Sequence, residues 1–443
     1  MDKKKVFELP AMFRALRHRN FRLFFMGQGI SLIGTWLQST AMSWLVYRLT
    51  GSAFLLGVVG FCSTLPLFVL SPFAGVLSDR WKRRTILRFT QSLALIQASI
   101  IAVLVMTNTV QPWHIIGLSL FLGIINSFDV PARQSFMMEM VDDNNDLSNA
   151  ISLNSALVNS ARLIGPAIAG ILIALVGEGA CFTLNALSFI AVIYALNQMK
   201  VRDRAMTHKN ERILSGLKTG FEYVIGFRPI RSILLNMSLV TLIGLPYVTL
   251  MPVFAKNVFH GGPHTMGFLI SSIGAGALCG AVYLASRKNV LGLGRYIYMA
   301  GILYGTAMAV FSFTPLMPVA MLVLFFSGAG MVVMIAASNT ILQTISDEDK
   351  RGRVMSFWSL TAGMSTFGNL IYGSLASAIG APRAVTVGGC IVVIGALVFS
   401  RELPKLREIV RPIYIKHGII KELNAGIYAA ANPVGIIEKK QSR

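Results

Sequence analysis

The sequence predicts an all-α membrane protein with twelve transmembrane helices in two pseudo-symmetric six-helix bundles. Three observations predict this class: an apolar composition, twelve apolar runs, and a repeated pattern in the two halves. Of the 443 residues, 54% are hydrophobic and only 13% are charged. Soluble domains carry about 25% charged residues. This composition therefore excludes a water-soluble enzyme.

The apolar residues fall into runs long enough to cross a bilayer, which takes about 20 residues in a helix. The first run is too long for the apolar part of a signal peptide, so we expect it to remain as a membrane helix. The twelve runs lie near residues 21–47, 53–77, 87–107, 113–131, 149–176, 180–198, 232–255, 265–285, 296–313, 316–341, 355–378 and 384–400.

The positive charge is distributed unevenly along a chain with a net charge of +21. Connections from odd to even helices contain Arg48, Lys256 and Arg383 as their only lysine or arginine. The other loops and the termini carry nearly all the remaining basic residues. Because cytoplasmic loops are enriched in such residues, we expect both termini in the cytoplasm of a bacterium and the helices in its inner membrane. We therefore expect the positive charge to interact with anionic membrane lipids and not with nucleic acid.

The predicted organisation has five parts, divided where the composition changes. The longest connection contains Leu214, Leu217, Phe221 and Val224 at helical spacing, which indicates an amphipathic helix on the membrane surface or a solvated linker helix. The parts are a cytoplasmic N-terminus (1–19), a first six-helix bundle (20–199), this cytoplasmic linker (200–231), a second six-helix bundle (232–401) and a cytoplasmic tail (402–443).

The two predicted bundles share several weak sequence matches, which occur in the same order in both. Together these matches indicate a duplicated six-helix unit. Two such units packed face to face enclose a central cavity, which is the architecture of many secondary transporters. The matched segments are Gly51–Gly57 with Gly261–Gly267, Gln134 with Gln343, and Gly170–Gly177 with Gly373–Gly380.

The loop after predicted helix 2 runs from Gly75 through Asp79 to Arg84 as Gly-Val-Leu-Ser-Asp-Arg-Trp-Lys-Arg-Arg. It resembles the loop motif of the major facilitator superfamily, except that Lys82 stands where a second glycine is usual. Basic loop residues alone would also anchor orientation, but that does not explain the glycine and the aspartate. The resemblance implies a latch that holds the two halves in the outward-facing state, formed by Gly75, Asp79, Arg80, Arg83, Arg84 and Arg133.

Predicted helix 4 carries Asn126, Asp129 and Arg133 on one face. Its run Asp-Val-Pro-Ala-Arg-Gln resembles a signature of the branch that holds enterobactin exporters and the third drug–proton antiporter family. Acidic residues embedded in a membrane are usually functional. Asp129 is therefore a candidate proton carrier, or alternatively a helix-end acid paired with Arg133.

Arg162 is the only basic residue in the middle of an apolar run. An unpaired arginine there costs several kcal/mol, so we expect it to face the interior. Asp129 on the adjacent predicted helix is its expected partner, and Arg162 then tunes the proton affinity of that carboxylate. A purely structural ion pair is the alternative. The Gly-Pro element that follows at Gly165 resembles the antiporter motif of the superfamily.

Polar residues recur at helical spacing on several apolar helices. Because lipid disfavours polar groups, these stripes should point inward. They either line a substrate path or bond helix to helix. The cavity candidates are Gln28, Ser31, Thr35, Gln38, Asn126, Asn154, Asn159, Asn339, Trp358, Thr361 and Ser365.

The chain contains no HExxH, GxSxG or complete P-loop pattern, so we expect no enzyme activity, no cofactor and no metal. The resemblance covers residues 12–410. It implies proton-coupled export of an amphipathic small molecule, such as a siderophore or a drug, by alternating access in a monomer. The alternatives are a lipid or lysolipid flippase of the same fold, an importer, and a membrane sensor or partner-binding protein that transports nothing.

Overall fold

The computed structural model describes residues 11–141, 144–200, 221–287 and 290–416, without the side chains of 11, 71–80, 144–145 and 416. The described chain is almost entirely helical. Its helices are α1 (Arg19–Thr50), α2 (Ala53–Arg80), α3 (Arg83–Met106), α4 (Pro112–Met137), α5 (Asn144–Val176), α6 (Glu178–Gln198), α7 (Arg228–Val258), α8 (Pro263–Ala285), α9 (Leu293–Phe313), α10 (Met317–Ile345), α11a (Arg351–Gly363), α11b (Ser365–Ile379) and α12 (Ala381–Lys416).

Ten of the described helices are long and apolar enough to cross a membrane, so the protein is a multi-pass membrane protein. The two predicted spans outside this group differ in a specific way. Helix α1 has 32 residues but carries polar side chains such as Gln28 and Gln38 along its length. The predicted eleventh helix is divided at Met364 into two shorter helices. The predicted fold class is confirmed, while the count of twelve spans remains a prediction.

The two halves meet along two helix pairs, α2 with α11b and α5 with α8. At both contacts the backbones are close. A Cβ atom at Gly57 would lie 2.8 Å from Cα of Gly373, and one at Gly170 would lie 3.1 Å from Cα of Gly267. Small residues allow such close approach of helices in membranes. The sequence repeat matches Gly57 with Gly267 and Gly170 with Gly373, so the two contacts are equivalent under the internal symmetry.

The molecule has two distinct ends. We call the end where α1 begins and α12 ends the basic end, because Arg84 and Arg228 bind neighbouring helices there. At the opposite end the halves are joined by a hydrogen bond of 2.8 Å from Asn257 Nδ2 to Tyr47 Oη. On the central face of α5, Ser155 is exposed toward the basic end. The space between the halves is therefore closed at the opposite end and opens toward the basic end.

Helix α7 is irregular, although its sequence predicts a simple membrane helix. It widens into π-helical turns at Val240–Gly244 and Phe254–Val258 and tightens into a 3₁₀ segment at Leu245–Leu250. Pro246 and Pro252 lie in this region, and each lacks the N–H that a regular α-helix uses. Changes of helical pitch are frequent at functional sites.

The linker and tail predictions fall partly outside the described residues. Leu214 and Leu217 lie outside them, whereas Phe221 and Val224 belong to a described helical segment at 221–226. The amphipathic linker helix therefore remains a prediction. Helix α12 continues past residue 401 to Lys416, with Pro404 and Pro412 inside it.

Candidate functional site

A polar cavity of about 410 Å³ lies inside the first bundle and reaches the second. Most of its wall comes from α1, α2, α3, α4 and α6. The second bundle contributes Thr249 and Asn369, whose side chains are joined by a hydrogen bond of 2.9 Å. The predicted site residues that line this cavity are Ser31, Thr35, Gln38, Asn126, Asp129 and Arg133.

Asp129 is the acidic residue among the described residues that line this cavity, and it is only 3% exposed. Its Oδ1 atom accepts hydrogen bonds of 2.8 Å from both Thr90 Oγ1 and Gln91 Nε2 on α3. Its Oδ2 atom lies 3.5 Å from a guanidinium nitrogen of Arg133, one turn later on α4. Two hydrogen-bond donors and one guanidinium therefore surround a carboxylate at a place where ionised groups are otherwise costly.

The predicted pairing of Asp129 with Arg162 is wrong. Helices α4 and α5 are consecutive in sequence but are not principal neighbours, because α4 packs mainly on α2 and α3 while α5 packs on α1, α6 and α8. The Arg162 guanidinium lies 5.7 Å from the ring centre of Trp36. No carboxylate among the described residues pairs with it. The alternative partner considered for Asp129, Arg133, is the one that the structure contains.

A network of buried amides forms another wall of the cavity. Gln38 Nε2 donates to Gln97 Oε1 at 2.9 Å, and Gln38 Oε1 accepts from Asn185 Nδ2 at 2.7 Å. This network ties α1 to α3 and α6 and satisfies its own polar groups. Gln91 differs, because its Oε1 atom is buried and has no partner among the described residues. It offers an acceptor beside Asp129 for water or for a donor of a bound molecule.

The predicted latch is only partly within the described residues, since the side chains of Asp79 and Arg80 lie outside them. Arg83 Nη1 donates to Glu139 at 2.5 Å, and Arg84 donates to the carbonyls of Leu196 and Asn197 at the end of α6. The described partners of both arginines belong to the first bundle. Lys82 has φ −61° and ψ 116°, which any residue adopts, so the turn needs no glycine there.

The remaining predicted cavity residues are not part of the wall of this cavity. Asn159 donates to the Ser155 carbonyl within α5, and Asn339 accepts from Gln343 within α10. Their assignment to a substrate path remains a prediction, since another conformation would rearrange the space between the halves. The residues in this group are Gln28, Asn154, Asn159, Asn339, Trp358, Thr361 and Ser365.

Sequence reasoning did not select several residues that the structure brings to the cavity. Thr90 and Gln91 bind Asp129, Asn185 binds Gln38, and Thr249 binds Asn369. Gln91 and Asn185 are polar residues inside apolar runs, and this position is the sequence feature that could have identified them. Thr249 lies in the irregular part of α7, where helical spacing does not predict the direction of a side chain.

Two helical bundles, with a polar cavity in the first that reaches the second and an acid in its wall, define a membrane transporter of the major facilitator class rather than an enzyme. Within that class the chain belongs to the transmembrane secretion effector family, whose model matches residues 11–414. The superfamily predicted from the loop and helix motifs is thereby confirmed.

Proteins of similar sequence also belong to the transporters. The Staphyloferrin A transporter of Staphylococcus aureus is 26% identical over 384 residues, which cover 85% of this chain and 95% of that protein. The multidrug efflux pump Tap of Mycolicibacterium fortuitum is 26% identical over 393 residues, which cover 86% and 93%.

Solved structures share the fold at low sequence identity. A bacterial homologue of the human lysosomal transporter Spinster, in an inward-facing and occupied conformation, has a TM-score of 0.69 at 13% identity, covering 90% of this chain and 99% of that one. A bacterial homologue of the iron transporter ferroportin, in an inward-facing state, has a TM-score of 0.65 at 17% identity, covering 86% and 98%.

Proposed function

We propose that this protein exports an amphipathic small molecule from a bacterial cell across the inner membrane, by alternating access coupled to proton antiport. The observation that carries the proposal is the buried Asp129 carboxylate in the wall of a cavity inside the first bundle. The names of relatives, a siderophore transporter and a multidrug efflux pump, support export of a siderophore or a drug-like compound. With the positive-inside rule, the basic end is cytoplasmic.

The geometry suggests how a proton acts at Asp129. In the ionised form the carboxylate holds Arg133 at 3.5 Å and accepts from Thr90 and Gln91. Protonation removes the negative charge that attracts Arg133. Because the arginine also lines the cavity, its released guanidinium changes the charge of the space that holds the substrate. Proton uptake at Asp129 therefore changes how strongly the cavity binds its substrate.

The change of access uses the two equivalent contacts between the halves. At Gly57–Gly373 and Gly170–Gly267 the backbones touch in the half of the molecule remote from the basic end. Rocking of the bundles about these contacts separates Tyr47 from Asn257 and opens the opposite end. Helix α7 adjoins this end and is already irregular, so its turns can widen or tighten during this movement without breaking a regular α-helix.

A comparison of secreted compounds tests export directly. The gene is deleted in the bacterium that carries it, and culture medium and cell extract are compared by mass spectrometry. We expect one or a few amphipathic compounds to be retained in the cell, and complementation with the intact gene to restore their release. Equal compound profiles in the deletion and parent strains would exclude export as the main activity.

The same strains separate the flippase alternative. Everted membrane vesicles are given a labelled lysolipid or the retained compound, each under an imposed pH gradient. Export predicts accumulation of the retained compound only. Movement of the lysolipid alone would replace the proposal by lipid translocation on the same scaffold.

A further inference from the structure

Arg162 lies on the side of α5 that faces the centre of the molecule. The lipid-facing side of α5 is marked by four exposed apolar residues, Ile164, Ile168, Ile171 and Leu175. With 3.6 residues per turn, Arg162 projects about 160° around the helix from Ile164. The side chain therefore points away from lipid, toward the interface between the two halves.

The surroundings of Arg162 place it between the two halves, where α5 meets α1 and α8. Its guanidinium lies over Trp36 of α1, and its carbonyl faces α8, where a Cβ atom at Gly274 would lie 2.9 Å from that oxygen. One and two turns closer to the basic end, Asn159 is partly exposed and Ser155 is exposed on the same side of α5. A molecule entering from the basic end along this polar track reaches Arg162.

The charge of Arg162 is not balanced by any carboxylate among the described residues. An arginine held deep in a membrane protein normally finds an anionic partner or water, because its unpaired charge costs several kcal/mol. The Trp36 ring offers a cation–π contact, which leaves the charge in place. A guanidinium that lies over an aromatic ring keeps its N–H edge for bidentate bonds to a carboxylate or phosphate.

A second polar group without a partner lies on the facing helix. The Ser271 hydroxyl is buried and has no hydrogen-bond partner among the described residues. Ser271 shares a face of α8 with Gly267 and Gly274, the two positions that contact α5. The interface that holds Arg162 therefore also contains a free hydroxyl from the second bundle.

We propose that Arg162 and Trp36 form the subsite that binds the anionic group of the transported molecule, a carboxylate or a phosphate. The inference rests on the proposed function and narrows its substrate class to amphipathic organic anions. The subsite is separate from Asp129, which keeps its own arginine. The substrate anion and the proton thus act at two separate places in the molecule.

This arrangement couples binding to closure of the basic end. Closing the cleft removes Arg162 from water, which is unfavourable while its charge is unbalanced. A bound anion neutralises the guanidinium and lowers that cost. Closure is therefore favoured with substrate and opposed without it, which prevents the empty protein from leaking protons through a full cycle.

Paired probes that differ only in charge test the subsite. The purified full-length protein in lipid nanodiscs is titrated with salicylate and salicylamide, and with 2-naphthoate and 2-naphthamide, by calorimetry. We expect each acid to bind about tenfold or more tightly than its amide, as a charge-assisted hydrogen bond provides. Arg162→Gln removes this preference, whereas Arg162→Lys keeps the charge but loses the bidentate edge and so retains only part of it. Equal binding of acid and amide by the intact protein, or an unchanged preference in Arg162→Gln, overturns the proposal.

Two control variants make the result specific. Arg287 also lies over an aromatic ring, 4.3 Å from the centre of Tyr296, but at the end of α8. Arg287→Gln should keep the acid preference. Trp36→Leu keeps the arginine and removes its aromatic partner, so it should weaken binding of the acids with a smaller effect on the amides. If Trp36→Leu and Arg287→Gln change acid binding equally, the subsite is not at Trp36.

Failure of this inference is distinguishable from failure of proton coupling. Asp129→Asn is assayed in the same titration and separately for transport driven by a pH gradient. Acid preference retained in Asp129→Asn with transport lost supports both sites. If the intact protein prefers the acids over the amides but shows no proton-driven transport, the anion subsite is supported and the antiport proposal is excluded.

Discussion

Asp129 and Arg133 are one turn apart on α4, and their side chains meet at 3.5 Å in the cavity wall. The charge of the buried carboxylate is therefore balanced within a single helix. In the proposed mechanism, a proton that binds Asp129 replaces the arginine as its partner, without movement of another helix. That proposal assigns proton sensing to α4 and the conformational change to the two glycine contacts between the halves.

Substitution of Asp129 tests the proton site. We expect Asp129→Asn to abolish transport driven by a pH gradient in everted vesicles, because the amide cannot take up a proton. Movement of the substrate down its own concentration gradient should persist. The measurement is substrate accumulation with and without an imposed gradient.

Asp349→Asn is the matched control, because Asp349 is an exposed acid in the loop before α11a. It removes the same charge at the surface and should leave coupled transport unchanged. Coupled transport that survives in Asp129→Asn would move the proton site to another group.

The glycine contact between α5 and α8 sets how closely the halves approach. A Cβ atom at Gly267 would lie 2.4 Å from the Pro166 carbonyl oxygen. We expect Gly267→Val to push the halves apart at the opposite end at a cost of about 1–3 kcal/mol. The measurement is the distance between spin labels placed near residues 47 and 257, which should lengthen while transport falls.

Gly117→Val is the control for this substitution. Gly117 also lies within a membrane helix, but a Cβ atom there would meet nothing within 4 Å. It should leave both the label distance and transport unchanged. Identical behaviour of the two variants would show that the contact does not control access.

The Tyr47–Asn257 hydrogen bond closes the opposite end directly. A single hydrogen bond contributes about 1 kcal/mol net, so Tyr47→Phe should shift the balance of open and closed states about fivefold. Cysteine accessibility at the opposite end, measured with a membrane-impermeant reagent, reports the shift. In a double-mutant cycle, Tyr47→Phe and Asn257→Ala together should do no more than either alone; additive effects would contradict a direct contact.

Two buried tyrosines of the second bundle should respond oppositely to loss of their hydroxyl groups. Tyr304 Oη is buried with no partner among the described residues, so Tyr304→Phe removes a costly group and should stabilise the protein by about 1 kcal/mol. Tyr247 Oη is 3.0 Å from Ser327 Oγ, so Tyr247→Phe leaves a buried hydroxyl unpaired and should destabilise it by about 1–2 kcal/mol. Thermal unfolding in detergent gives both values. A lower Tm for Tyr304→Phe would mean that its hydroxyl has a bound partner, such as water.

Much of the cavity was predictable from spacing on single helices. Ser31, Thr35 and Gln38 recur along predicted helix 1, and all three line the cavity. The same logic on predicted helix 11 did not lead to the cavity for Trp358 or Thr361. Asn369, further along the same predicted helix, does line the cavity, whereas Trp358 and Thr361 lie closer to the basic end.

The residues that pair between helices were harder to predict than the face of each helix that points inward. The pairing of Asp129 with Arg162 assumed that consecutive helices touch, but α4 and α5 have other principal neighbours. Thr90 and Gln91, which do bind Asp129, stand in an apolar run with nothing in their spacing to connect them to α4.

By itself, the sequence determined the class of protein and ten of the helices long and apolar enough to cross the membrane, because lipid disfavours helices rich in charged residues. It also determined the repeat, and hence which glycines are equivalent. The tertiary structure alone decided that Gly57 meets Gly373, that Arg133 holds Asp129, and that Arg162 is left facing the cleft over Trp36. Such contacts depend on which helices are packed together, and helical spacing contains no information about the neighbour on which a face will lie.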